Sequence, residues 1–292
     1  MRKPIMIFML FFATQVFAEQ EPQKQPDTDQ KAPRGSLLDR RIALENASKV
    51  NPFAITPHKP TYILPLTYNS SPNNQPYTDR DIELNEFEMK FQLSIKIPVW
   101  QEILGDNSNL YFGYTQQSHW QAYNWDYSSP FRETNYEPEV MLSFLNDLDI
   151  FGFKHRVIML GLSHQSNGQS GELSRSWNRI YADFIFERGN LVFSIKPWYR
   201  IPEKKEDDDN PDIDKYMGHG EFKAVYQSGR NTLGMLFRYQ DRGAIQIDWT
   251  YPIPKSKVKG YVQYFNGYGE SLIDYDDSSN RISIGIMLTD WL

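Results

Sequence analysis

Apolar and polar side chains alternate with a period of two in short segments along most of this chain. Successive side chains of an extended strand point to opposite faces, so the alternation predicts strands with one apolar and one polar face. In the segment 88–97, the apolar face holds Met89, Phe91, Leu93, Ile95 and Ile97, and the polar face holds Glu88, Lys90, Gln92, Ser94 and Lys96. Similar segments predict about twelve strands, at 61–69, 81–100, 109–125, 136–150, 153–168, 174–189, 191–202, 216–229, 231–240, 244–253, 257–272 and 280–291.

An even number of long alternating strands predicts an all-β fold, namely a transmembrane antiparallel β-barrel of about 12 strands. Such a barrel has a polar lumen and an apolar outer face, which accounts for a mean hydropathy of only −0.61. Aromatic residues make up 15% of the chain, and many Tyr and Trp lie near predicted strand ends, as in membrane barrels. The alternative is a soluble periplasmic β-sandwich, which does not need strands of this length.

The amino terminus predicts export. Two basic residues, Arg2 and Lys3, precede an apolar run over residues 5–13, and Val16 and Ala18 place small residues before a cleavage site. We therefore predict three parts: a signal peptide over residues 1–18, a polar and irregular periplasmic arm over 19–60, and an outer-membrane β-barrel with catalytic outer loops over 61–292. No later window is apolar over the length that a membrane-spanning helix requires.

Composition removes several classes of function. The 292 residues include no cysteine, which excludes disulfide scaffolds, iron–sulfur clusters and cysteine nucleophiles. With 31 basic and 37 acidic residues, the formal charge is −6, which argues against a nucleic-acid partner. Any catalysis in this chain therefore depends on oxygen or imidazole groups.

One strand carries a candidate base and nucleophile on its lipid-facing side. His164 and Ser166 share the parity of the apolar residues Leu160 and Leu162, and on the next strand Asn178 shares the parity of its apolar neighbours. Polar groups beside hydrocarbon are unfavourable unless they satisfy one another. The arrangement fits an Asn that orients a His, a His that acts as base and a Ser that attacks. An isolated His-x-Ser pair, by contrast, is common and usually carries no function.

These residues resemble the active-site segment of the bacterial outer membrane phospholipase A family. The resemblance rests on residues 164–168 (HQSNG) and 174–179 (SRSWNR). It continues through most of the chain after about residue 80, at 128–138, 196–199, 208–212, 215–218 and 267–275.

The resemblance implies a calcium-dependent enzyme that is active as a homodimer and hydrolyses acyl ester bonds of phospholipids and lysophospholipids at the A1 and A2 positions. It implies that Ser166 is the nucleophile, His164 the general base and Asn178 the residue that holds the imidazole. The backbone N–H of Gly168 would contribute to the oxyanion site. Calcium would be bound by the Ser174 side chain, the Gln169 carbonyl and the carbonyl of Ser128 of the partner subunit.

Two further expectations follow from the resemblance. Gln116 lies on the lipid-facing parity of its strand, and the matching glutamine of the family lies in the dimer interface, so we expect Gln116 to pair across the two-fold axis. The family commonly has an acidic residue where this chain has Gly171, followed here by Glu172. Our hypothesis is that Glu172 supplies the missing charge.

Other interpretations remain open from sequence alone. A barrel could also be a passive outer-membrane pore, or a non-enzymatic adhesin or scaffold that uses its outer loops. The acidic run at 207–212 could bind a second calcium ion, although such runs are more often solvated extracellular loops, which is the interpretation we favour. If both termini are periplasmic, the active site lies on the side of the outer leaflet.

Overall fold

The computed structural model describes residues 35–48, 55–80, 82–240 and 242–291. The predicted signal peptide lies outside these residues. These residues form two α-helices, α1 (Leu37–Ser48) and α2 (Asp214–Met217), and thirteen strands. The strands are β1 (Thr56–Pro57), β2 (Thr61–Asn69), β3 (Phe87–Gln101), β4 (Ser108–Trp120), β5 (Phe131–Ile150), β6 (Phe153–Ser166), β7 (Ser176–Arg188), β8 (Leu191–Ile201), β9 (Gly220–Ser228), β10 (Asn231–Arg238), β11 (Ala244–Pro252), β12 (Lys259–Tyr268) and β13 (Ser278–Thr289).

The strands form one closed antiparallel sheet. Each strand from β2 to β13 pairs with its neighbours in the chain, and β13 pairs with β2, so these twelve strands close a barrel. The short strand β1 pairs with β3 beyond the part of β3 that pairs with β2. The predicted barrel of about twelve strands is therefore confirmed. No helix in the described ranges is both long and apolar enough to cross a membrane.

Strand bounds differ from the predictions mainly near loops. Strand β5 begins at Phe131 rather than at residue 136, because its first residues pair with the end of β4. The predicted strand at 216–229 begins only at Gly220, since the residues before it form the short helix α2.

The alternation along β3 separates lumen from outer face as predicted. Glu88 and Lys90 are only 2% and 1% exposed inside the barrel, whereas Leu93 is 48% exposed on the outer surface. The buried charge of Lys90 is paired inside the lumen, with its Nζ 2.7 Å from Glu270 Oε1. Burial alone would raise the pKa of Glu270, which lies in the loop after β12, but Arg281 and Lys90 lower it to about 2.

The described part of the predicted irregular arm instead contains helix α1. Leu37 and Leu38 pack against Val157, Ile185 and Val192 of the barrel. The same helix directs Arg41 to the carbonyl of Trp291, with an N–O distance of 2.9 Å. Helix α1 was not predicted from the sequence, because its barrel-facing side contains Arg41 and Glu45, which match a polar lumen but break an apolar periodicity. The boundary between arm and barrel at residue 60 stays a prediction.

Candidate active site

Strands β6, β7 and β8 place the candidate residues in one row across the outer face. In the strand register, His164 lies directly opposite Asn178, and Asn178 lies directly opposite Ile201. The neighbours Leu162 and Ile180 on the same face are both about half exposed. His164 and Asn178 therefore lie on the lipid-facing side of the barrel, as their parity predicted.

A hydrogen bond joins the two residues. His164 Nδ1 lies 2.9 Å from Asn178 Oδ1, and Asn178 Nδ2 donates to Glu203 Oε1 over 2.8 Å. An ionised carboxylate only accepts, so the NH₂ group of Asn178 faces Glu203 and its Oδ1 faces His164. The imidazole must then carry its proton on Nδ1, which leaves Nε2 free to accept a proton.

Ser166 is the last residue of β6 and shares the outer face with His164. Residues two apart on a strand lie roughly 7 Å apart at their backbones. Within the described chain, the Ser166 hydroxyl makes no hydrogen bond to the imidazole. Contacts of this kind are often long before substrate binds and tighten in the reacting complex.

The loop after Ser166 is organised by Asn167, which is buried. Its Oδ1 accepts the backbone N–H of Gln169 over 3.2 Å and that of Arg175 over 3.0 Å, and its Nδ2 donates to the Leu173 carbonyl over 2.8 Å. Gly168 takes a φ of +65°, and a Cβ there would lie 3.2 Å from the Tyr136 ring. Only glycine adopts this conformation readily. Without a side chain at residue 168, the backbone N–H there can be approached by a ligand.

An outer-face cavity of about 350 Å³ lies beside this loop. Gly168 and Gln169 line it on one side, and Gln116, Phe91 and Phe131 line it on others. The predicted oxyanion residue and the predicted interface residue thus border the same space. Its lining combines aromatic and polar residues.

Gln116 lies in a polar row on the outer face of β4. Its Oε1 accepts the Tyr114 hydroxyl over 3.3 Å, and its Nε2 donates to Ser118 Oγ over 3.4 Å. Both contacts are long for hydrogen bonds. The amide therefore retains capacity to bind a group outside this chain.

The predicted calcium ligands Gln169 and Ser174 lie at opposite ends of the same short loop, and Ser128 lies in the loop between β4 and β5. Ser174 Oγ donates to Asp209 Oδ2 over 2.6 Å. Glu172 is exposed, and its carbonyl accepts from Arg175. In the described part of the chain, no three acidic or histidine side chains form a ready metal cluster. A hydroxyl, a carbonyl and the carboxylate of Asp209 are nevertheless the hard oxygen donors that calcium prefers.

The acidic run at 207–212 is only partly the solvated loop that its composition predicts. Asp208 pairs with Arg200, with 2.6 Å between Oδ1 and Nη2, and the fully buried Asn210 accepts the backbone N–H of Ser176 over 2.9 Å. Asp212 accepts the Tyr275 hydroxyl over 2.8 Å, and burial together with this carboxylate raises the pKa of Tyr275 above its ordinary value. Asp208 and Asp212 thus have partners on β8 and in the β12–β13 loop, whereas Asp207 and Asp209 are exposed, as expected for a solvated loop.

Glu203 and Asp209 were not among the predicted site residues. Both lie after the end of β8, where no alternation specifies a face. For Glu203, the sequence offered one signal. Counted on from β8 in steps of two, Glu203 follows the outward-facing Tyr199 and Ile201.

Comparison with known proteins places this site in context. A family model described as phospholipase A1 matches residues 38–288. The phospholipase A1 of Escherichia coli K12 is 40% identical over 289 residues, covering 97% of this chain and 96% of that protein. The phospholipase A1 of Klebsiella pneumoniae is 42% identical over 267 residues, covering 90% of each chain.

Two solved structures share the fold. The outer membrane phospholipase dimer of Salmonella typhi with bound calcium superposes with a TM-score of 0.77 at 40% identity, covering 83% of this chain and 94% of that one. Outer membrane phospholipase A of E. coli gives the same TM-score and identity, covering 82% of this chain and 100% of that one.

Proposed function

Because this chain belongs to the phospholipase A1 family, we propose that it hydrolyses acyl ester bonds of phospholipids and lysophospholipids, at both the A1 and A2 positions, in the bacterial outer membrane. The observation that carries the proposal is the His164–Asn178 hydrogen bond on the lipid-facing side of the barrel, beside Ser166. A lipid substrate would reach this position from the membrane without entering the lumen.

The chemistry assigned to these residues is acyl transfer. His164 Nε2 takes the proton of the Ser166 hydroxyl as its oxygen attacks the ester carbonyl, and later gives that proton to the departing alcohol. Asn178 holds Nδ1 and thereby the ring orientation. The backbone N–H of Gly168 donates to the oxyanion, and a water molecule then releases the fatty acid by the same route.

The direction of the site supports action on the outer leaflet. Helix α1 and Trp291 meet at one end of the barrel, and Arg156 near the start of β6 pairs with Asp39 there. His164 and Ser166 lie at the other end of β6. If both chain ends lie on the periplasmic side, as the sequence predicts, the site faces the outer leaflet.

The lumen favours an enzyme over a passive pore. Three of its cavities have volumes of about 100, 190 and 150 Å³, and Lys59 lines all three. Lys59 Nζ contacts both Glu137 and Glu139, at 2.6 and 2.8 Å. Small barrels filled by side chains in this way leave little space for diffusion.

Calcium fits the donors of the loop over residues 169–174. We propose that Ser174, the Gln169 carbonyl and the partner subunit's Ser128 bind it, and that calcium when bound stabilises the negative charge that develops on the ester oxygen. This arrangement would make the site complete only in a homodimer. Activity should then require both calcium and association of two chains.

Calcium titration of fatty-acid release from phospholipid micelles tests the enzyme and its cofactor together. We expect release by the wild type to require calcium and to stop with a chelator.

Two carboxylates, Asp209 and Glu172, are candidates to replace the acidic residue that the family commonly has at the position of Gly171. Asp209→Asn should raise the half-saturating calcium concentration by about tenfold, because one charged neighbour of Ser174 is lost.

The variant Glu172→Gln tests the hypothesis made from sequence. A shift like that of Asp209→Asn would support a role of Glu172 in calcium binding. An unchanged titration would count against it, and absence of release by the wild type at any calcium concentration would overturn the enzyme proposal itself.

A separate test addresses the homodimer. Gln116→Leu should lower the association constant of the dimer by roughly fivefold, since hydrogen bonds between membrane segments contribute about 1 kcal/mol. Chemical crosslinking in detergent micelles with calcium and substrate analogue measures this. Phe112→Leu on the outer face of the same strand is the control, and equal crosslinking of Gln116→Leu and this control would refute the interface role.

A further inference from the structure

The carboxylate of Glu203 lies directly behind the amide of Asn178. In the register of the three strands, His164, Asn178 and Ile201 form one row, and Glu203 follows Ile201 by two residues. Diagonal neighbours of this kind lie within reach of a long side chain. Asn178 Nδ2 lies 2.8 Å from Glu203 Oε1. The row of polar groups on the outer face therefore holds four residues, namely Ser166, His164, Asn178 and Glu203.

An asparagine by itself does not specify which end of its amide faces the histidine. With Oδ1 toward His164, the ring carries its proton on Nδ1 and Nε2 can accept from Ser166. With the amide reversed, Nδ2 would donate to Nδ1, the proton would move to Nε2, and the ring could not act as base. Triads with an aspartate avoid this choice, because a carboxylate presents only acceptors.

We propose that Glu203 is a positioning residue that holds Asn178 in the productive orientation and thereby sets the tautomer of His164. The inference rests on the proposed function of Ser166, His164 and Asn178. Glu203 accepts only, so it binds the NH₂ group and turns Oδ1 toward the imidazole. Its charge also polarises the neutral amide, which strengthens the bond that Asn178 accepts from His164.

Steady-state kinetics on phospholipid micelles with saturating calcium tests this role. Glu203→Ala should lower kcat by about tenfold while KM changes less than about twofold, because the charge-assisted hydrogen bond is lost but the lipid site is not. Glu203→Gln keeps an acceptor oxygen but can also donate, so its kcat should lie between those of Glu203→Ala and wild type. Glu206→Gln, in the same loop, is the control and should match wild type.

The variant Asn178→Asp gives a test that a merely structural role cannot pass. It places a second carboxylate against Glu203, so the two charges repel. Adding Glu203→Gln should then raise kcat above that of Asn178→Asp alone, although the same change lowers kcat in the wild type. A structural role for Glu203 predicts a decrease or no change in both backgrounds.

The outcomes separate the two proposals. Activity that depends on Ser166 but is unaffected by Glu203→Ala would overturn the positioning role and leave the proposed function intact. Equal losses in Glu203→Gln and Glu203→Ala, or a decrease in the Asn178→Asp background, would also overturn it. Absence of calcium-dependent fatty-acid release by the wild-type protein would instead refute the proposed function.

Discussion

Replacing Ser166 with alanine is expected to lower calcium-dependent release of fatty acid by roughly four orders of magnitude or more. The variant keeps the backbone, the outer face and the calcium donors of the wild type, and removes only the oxygen that attacks the ester. His164 then has no hydroxyl to deprotonate. The measurement is fatty-acid release from phospholipid micelles, with calcium and with chelator.

The matched control for this variant is Ser176→Ala. Ser176 lies directly opposite Ser166 on β7, so the same chemical change is made at the neighbouring position of the sheet. We expect its activity to stay within about twofold of wild type, since surface substitutions away from special contacts have small effects. Undiminished release by Ser166→Ala, or equal losses in both variants, would contradict the assignment of the nucleophile.

The same pair of variants separates the enzyme from the other classes considered. A passive pore or an outer-membrane adhesin has no use for the Ser166 hydroxyl, so neither would respond to its loss. The buried ion pairs of the lumen, such as Lys90 with Glu270, already leave a pore little room. A specific loss at Ser166 would therefore exclude both classes as the main function.

The barrel and the outward face of the site could be predicted from the sequence because both depend on parity. Once β6 is a strand, Leu160 and Leu162 determine the side on which His164 and Ser166 lie. The pairing of His164 with Asn178 needed one more fact, the register between β6 and β7. The structure supplies that register, and the resemblance to a known family identified Asn178 beforehand.

The loop contacts could not be predicted in this way. Glu203 and Asp209 lie in a segment without periodicity, and their positions depend on where β8 ends and how the following residues fold back onto β7. Charge composition alone suggested that the acidic run is solvated, yet Arg200, Ser174 and the N–H of Ser176 bind its side chains. Helix α1 was missed for a related reason, since its lumen-facing side is partly charged.

The largest expected loss of stability comes from Glu88, at the outer end of the lumen. Its carboxylate contacts Arg132 Nε at 3.0 Å and His119 Nδ1 at 3.2 Å, and it also binds Arg281. All four side chains are buried. Glu88→Gln removes the negative charge at nearly constant shape and takes one carboxylate from each of two buried guanidinium groups, leaving Asp274 for Arg132 and Glu270 for Arg281.

We expect Glu88→Gln to lower the free energy of unfolding by about 3 kcal/mol, the lower end of the effect of breaking a buried ion pair. Urea unfolding in detergent micelles measures this, and Glu86→Gln is the control because Glu86 is exposed two residues earlier. Activity per folded molecule should change little, since Glu88 lies inside the barrel and the proposed site lies on its outer face. Equal unfolding midpoints for the two variants would show that the cluster does not stabilise the barrel. A loss of activity without a loss of stability would show instead that the lumen charges act on the outer site.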